Sequence, residues 1–139
     1  MTQPIYGQSG TVVAWLTGGY IYDLGGRSTG MFYHENVYGT KGQHLGIFRN
    51  GLFRDHEGQV VGFIEGAHGG PTLPVAKFAP TPPKLSLPTG MSPDRAKAPL
   101  PAIPSYCWGG SWQEFITQTG EGAQRSRGAG DNDRQFRAA

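Results

Sequence analysis

Residues 4–67 read PIYGQSGTVVAWLTGG (4–19), YIYDLGGRSTGMFYHE (20–35), NVYGTKGQHLGIFRNG (36–51) and LFRDHEGQVVGFIEGA (52–67). They are four copies of one 16-residue unit, aligned without insertion or deletion. Gly10, Gly26, Gly42 and Gly58 share one phase of the unit, and Ala14, Gly30, Gly46 and Gly62 share another. A fixed period of this kind marks a repeat architecture, in which no single unit can bury its apolar face alone.

Each unit opens on a short apolar pair: Ile5-Tyr6, Ile21-Tyr22, Val37-Tyr38, Leu52-Phe53. A turn follows in GQSG, DLGG, GTKG and DHEG. An Asp or Gly opening with Gly three residues on suits a type I turn closed by a residue at positive φ. The next six residues, TVVAWL, RSTGMF, QHLGIF and QVVGFI, suit a second strand. TGG, YHEN, RNG and EGA then reverse the chain again, so each unit reads as a β-hairpin.

The second strands read as apolar on both faces. Val13 and Trp15, Leu45 and Ile47, Val61 and Phe63 fall on one, and Leu16, Phe32, Phe48 and Ile64 on the other. One face is expected to meet a central core and the other to be covered. The small residue two positions before Leu16, Phe32, Phe48 or Ile64 leaves room for close approach by a neighbour. An open stack of repeats needs atypical end caps, yet the first and last copies keep the pattern. The expected fold is therefore all-β: four tandem 16-residue β-hairpins closed around a pseudo-four-fold axis. A Pro-rich linker and a short C-terminal aromatic helical segment follow.

The chain divides accordingly into a repeat domain (1–67), a Pro-rich extended linker (68–104), an aromatic docking segment (105–117) and a polar tail expected to be disordered (118–139). Ten of the eleven prolines lie in 68–104, where fixed φ and missing donors favour polyproline II. In SYCWGGSWQEFI (105–116), Ser111 and Glu114 form a capping-box pattern that opens a helical turn. Trp112, Phe115 and Ile116 fall on one side of it.

Composition sets limits on function. The 139 residues are 37% hydrophobic and 16% charged, with 23 glycines. The formal charge of +2 is not gathered into a basic stripe, so specific nucleic-acid binding is not expected. A single cysteine, Cys107, excludes an internal disulfide and leans towards a reducing compartment. MTQPIYGQSG has neither the basic nor the apolar region of a signal peptide, and no apolar run could span a bilayer as a helix. A cytoplasmic protein with no membrane association is expected.

With Ile21-Tyr22-Asp23, Gly26, Gly30 and Phe32 repeated at intervals of 16, and Trp108, Ser111, Trp112, Glu114, Phe115 and Ile116 near the end, the chain resembles the bacterial 4-fold β-flower family. The resemblance implies a four-petalled β fold and carries over no catalytic residues. This copy departs from the pattern at Arg54, where the other units have Tyr, and at Gly7 and Gly39, where Asp would fit.

No residue set reads as catalytic, and no cofactor or metal is expected. His34, His44, His56 and His68 share no phase, which excludes a symmetric ligand set; they read as solvent-facing loop residues. Asp23 and Asp55 share a phase but sit where Asp bonds its own turn backbone. Cys107 has no basic neighbour to lower its pKa. Two functional expectations remain. The first is a non-catalytic interaction or scaffold module, whose Trp108, Trp112, Phe115 and Ile116 dock on the chain itself, on another subunit or on a protein partner. The alternative is a small-ligand or enzymatic site on the axis, lined by Tyr6, Tyr22, Tyr38 and Arg54.

Overall fold

A computed structural model describes residues 2–86 and 103–118. The expected tail beyond Gln118, and residues 87–102 of the Pro-rich segment, lie outside the described residues. Eight strands run in chain order: β1 (Gln3–Tyr6), β2 (Val12–Thr17), β3 (Tyr20–Tyr22), β4 (Ser28–Tyr33), β5 (Asn36–Gly39), β6 (His44–Arg49), β7 (Leu52–Arg54) and β8 (Val60–Phe63). Each pairs antiparallel with the next, and β8 returns to β1, closing a barrel. The closing seam is thin, with one ladder pair, Tyr6 to Phe63. The four-hairpin ring expected from the repeat is the observed architecture.

Two kinds of turn alternate around the ring. Within each petal, the amide of Gly10, Gly26, Gly42 or Gly58 donates to the carbonyl three residues back, at 3.0–3.1 Å. All four glycines have φ between 81 and 93°, which a residue with a Cβ adopts only at a cost. Between petals, two-residue turns hold both central residues at positive φ. These are Gly18-Gly19, His34-Glu35 and Asn50-Gly51, the type I′ geometry that matches strand twist.

The face assignment of the second strands needs a correction. Every petal carries a β-bulge: Ile5 opposes Ala14 while Tyr6 opposes Val12, so Val13 is extra. Thr29, Leu45 and Val61 are the extra residues of the other petals. A bulge interrupts strict alternation. Val13, Leu45 and Val61 therefore pack in the same core as Leu16, Phe32, Phe48 and Ile64, while Phe63 joins the opposite face.

That core surrounds the axis. Ile5, Ile21, Val37 and Phe53, one from each petal, are fully buried at its centre. Each faces the small residue of its own second strand: Ala14, Gly30, Gly46 or Gly62. Phe48, half-buried, stacks on Phe53 at 4.3 Å and meets Phe32 at 5.1 Å between ring centres, so both pack against the core from its edge. No helix among the described residues is long and apolar enough to cross a membrane.

Candidate functional site

The helix α1 (Trp112–Thr117) starts where the capping box places it. Ser111 Oγ accepts from Glu114 N at 3.1 Å, and Glu114 Oε1 accepts from Ser111 N at 3.0 Å. The reciprocal pair satisfies two otherwise orphan donors. Trp112, Phe115 and Ile116 are all buried, and all belong to the axial core of the repeat domain.

The close-approach glycines explain the fit. A Cβ on Gly62 would lie 2.9 Å from the Trp112 ring, one on Gly46 2.9 Å from Phe115, and one on Gly30 3.4 Å from Ile116. Three petals thus each offer one bare backbone position to one side chain of the helix. The same glycines admit the carbonyls of Tyr38 against Gly30 and Arg54 against Gly46. Polar bonds fix the far end: Gln118 Nε2 donates to Leu45 O at 2.6 Å, and Gln43 Nε2 donates to Gln118 O at 3.0 Å. Trp108 lies outside the barrel, over the seam. Its ring meets Phe63 edge-on at 6.2 Å, and Phe63 stacks on Tyr6 at 5.3 Å. Backbone bonds from Val60 N to Cys107 O and from Gly109 N to Val60 O hold it there.

Tyr6, Tyr22, Tyr38 and Arg54 were expected on the axis and are not there. Successive strand residues point to opposite faces, and their neighbours Ile5, Ile21, Val37 and Phe53 take the axial side. The four outer residues are nonetheless buried, at 1–6% exposure. Arg54 Nη1 donates to Gly58 O and to Ser105 O at 2.6 Å each, and Nη2 donates to Gly69 O at 3.0 Å. Burial lowers the guanidinium pKa from its ordinary value. The petal that breaks the Tyr row is the one whose Arg54 bonds the chain at both ends of the Pro-rich segment, at Gly69 and at Ser105.

The Pro-rich segment meets the petal turns in a repeating way. Lys77 N donates to Gly10 O at 2.8 Å, Ser86 N to Gly26 O at 2.9 Å and Ser105 N to Gly58 O at 3.1 Å. In each case a carbonyl two residues earlier, of Val75, Lys84 or Ile103, occupies the space a Cβ on the glycine would need. The nine-residue interval between Pro74 and Pro83 matches that between Lys77 and Ser86, a signal that sequence reasoning passed over.

The carboxylates at the turns bond the backbone. Asp23 Oδ1 accepts from Gly25 N and Arg27 N, both at 2.9 Å. Asp55 Oδ1 accepts from Glu57 N at 2.9 Å and Gln59 N at 3.0 Å. In the third petal, where Gly39 replaces Asp, Gln43 Oε1 accepts from Lys41 N at 3.0 Å instead. A cavity of about 190 Å³ beside α1 is lined by Asp55, Ser111, Glu114 and Gln118 among others; these four side chains bond backbone groups. Cys107 is exposed and forms no disulfide.

Two histidines depart from the expectation of separate, solvent-facing residues. His44 Nδ1 lies 2.9 Å from His56 Nε2, and His44 Nε2 lies 2.9 Å from Asn36 Oδ1. Both rings are half-buried. Desolvation, and next the neighbouring His56, lower the His44 pKa to about 4. A comparison of equivalent repeat positions misses the pair, because a strand residue of one petal meets a turn residue of the next. Among the described residues, no group of three or more His, Cys, Asp or Glu gathers as a metal set.

No curated protein and no solved structure matches the chain. A family model described as "4-fold beta flower protein" matches residues 3–116, a span that takes in the barrel, the Pro-rich segment and nearly all of α1. The chain belongs to the 4-fold beta flower family.

Proposed function

We propose that this protein is a non-catalytic interaction or scaffold module whose repeat domain acts as a socket for a short aromatic helix. One observation carries the reading: the Gly62, Gly46 and Gly30 positions receive Trp112, Phe115 and Ile116. Fitting three side chains of different size to three bare backbone positions is how a groove selects a helical segment. The chain's own segment, tethered after the Pro-rich stretch, competes at high effective concentration for that socket. The exposed free thiol of Cys107 fits a reducing compartment such as the cytoplasm.

The test is binding in trans. A chain ending at residue 104 is titrated with a synthetic peptide of residues 105–118, followed by fluorescence or calorimetry. Saturable one-to-one binding is expected, abolished in a peptide carrying Trp112→Ala and Phe115→Ala. No binding to a folded truncated chain, or equal binding of both peptides, would overturn the socket reading.

A further inference from the structure

We propose that His44 and His56 form a two-imidazole site for a divalent transition-metal ion of the nitrogen-preferring class: Zn²⁺, Ni²⁺ or Cu²⁺. The site is independent of the socket, because neither ring belongs to the axial core.

Two ring nitrogens face each other across the petal boundary. The side-chain oxygen of Asn36 can only accept, so it holds the His44 proton on Nε2. That leaves the Nδ1 lone pair of His44 pointing at His56 Nε2, 2.9 Å away. A metal at the usual Zn–N distance of about 2.0–2.1 Å, in tetrahedral geometry, needs its two nitrogens about 3.3 Å apart. The two nitrogens must therefore move apart by only a few tenths of an ångström, and each ring must turn so that the lone pairs converge on a point beside the line that now joins them. His56 moves its proton from Nε2 to Nδ1, so both imidazoles stay neutral and bind through lone pairs. Asn36 then serves as the outer partner that orients a ligating histidine and fixes its tautomer. The Tyr38 ring braces the other side of His44, edge-on at 5.5 Å.

One further feature fits. Both rings are half-buried, so water can complete the coordination shell. Imidazole pairs suit Zn²⁺, Ni²⁺ and Cu²⁺, whereas Mg²⁺ and Ca²⁺ call for oxygen ligands.

The test uses the full-length chain with the metal alone as probe. Calorimetric titration with Ni²⁺ and Zn²⁺ at neutral pH is expected to show one site per chain and no response to Mg²⁺. That site is lost in His44→Gln and in His56→Gln, and kept in a His34→Gln, His68→Gln variant. Asn36→Ala weakens it by about tenfold, the usual cost of an outer partner. Should a variant fail to fold, the wild-type chain still decides the matter. Substoichiometric Cu²⁺ must broaden amide resonances around residues 44 and 56 before any others. Absence of binding, survival of the site in His56→Gln, or broadening centred on His34 or His68 would overturn the proposal.

Discussion

Arg54 donates to the carbonyl oxygen of Ser105 at 2.6 Å, joining positions 51 residues apart. The same guanidinium holds the fourth petal turn at Gly58 and the bend at Gly69. A tyrosine, present at this phase in the other petals, offers a single hydroxyl in place of three directed N–H donors. The break in the repeat therefore sits where the closed ring also anchors both ends of the Pro-rich segment. Arg54→Met leaves three carbonyls without this donor, and is expected to cost about 2–4 kcal/mol in denaturant unfolding. Faster hydrogen exchange at Ser105 and Gly109 would locate the loss. Unchanged stability would show that the clamp contributes nothing.

The glycines facing α1 act through space rather than through backbone freedom. Gly62→Ala pushes a methyl into the Trp112 ring and is expected to cost about 1–3 kcal/mol; Gly46→Ala meets the Arg54 carbonyl before the Phe115 ring and should cost more than Gly62→Ala. Gly66, at φ 88° with nothing within 4 Å of where a Cβ would sit, separates the two effects. Gly66→Ala should cost only the conformational penalty, about 1 kcal/mol, and leave the Trp112 environment unchanged by near-UV circular dichroism.

Acid should weaken the third and fourth petals together. His44 in the folded chain has its pKa lowered to about 4 from 6.5. Between those values the unfolded chain binds a proton that the folded chain does not, so stability falls as pH drops from about 6.5 to 4. The contribution levels off below the folded value and is constant above 6.5. With the half-exposed ring discounted for solvent screening, the loss is about 1–2 kcal/mol. Chemical denaturation at pH 7 and pH 4.5 checks it: His44→Gln should flatten that part of the slope.

The His34-Glu35 turn holds two side-chain-bearing residues at φ 49 and 69°. The equivalent turns use Gly18-Gly19 and Asn50-Gly51. Replacing His34-Glu35 with Asn-Gly should stabilise the chain by about 0.5–1 kcal/mol, even though Arg49 then loses its exposed bond to Glu35 at 2.9 Å. A lower melting temperature in the Asn-Gly chain would count against the strain argument.

Much of this architecture was legible from residues 4–67. A period of 16 with a glycine three residues into each turn names the hairpins, because positive φ has few other solutions. Ser111 and Glu114 announce α1 through a local pair of hydrogen bonds. What could not be read depends on one extra residue per petal. The bulges at Val13, Thr29, Leu45 and Val61 break the strict alternation, so Val13, Leu45 and Val61 join the axial core while Phe63 stays on the opposite face. The shared phase of Tyr6, Tyr22 and Tyr38 shows that they are equivalent but not which face they take, and the axis is held by their neighbours Ile5, Ile21 and Val37. The His44–His56 contact was hidden for a different reason. It joins neighbouring petals at unlike phases, and the repeat has no column in which the two appear together.

The chain's own helix closes the axis of its own barrel, and Trp112 reports on this most directly. Nuclear Overhauser contacts between the Trp112 indole and the Gly62 α-protons are expected in dilute full-length protein. They should be absent from isotope-filtered spectra of a mixture of labelled and unlabelled chains. Missing contacts in the dilute sample, or contacts that appear between chains, would contradict the central claim.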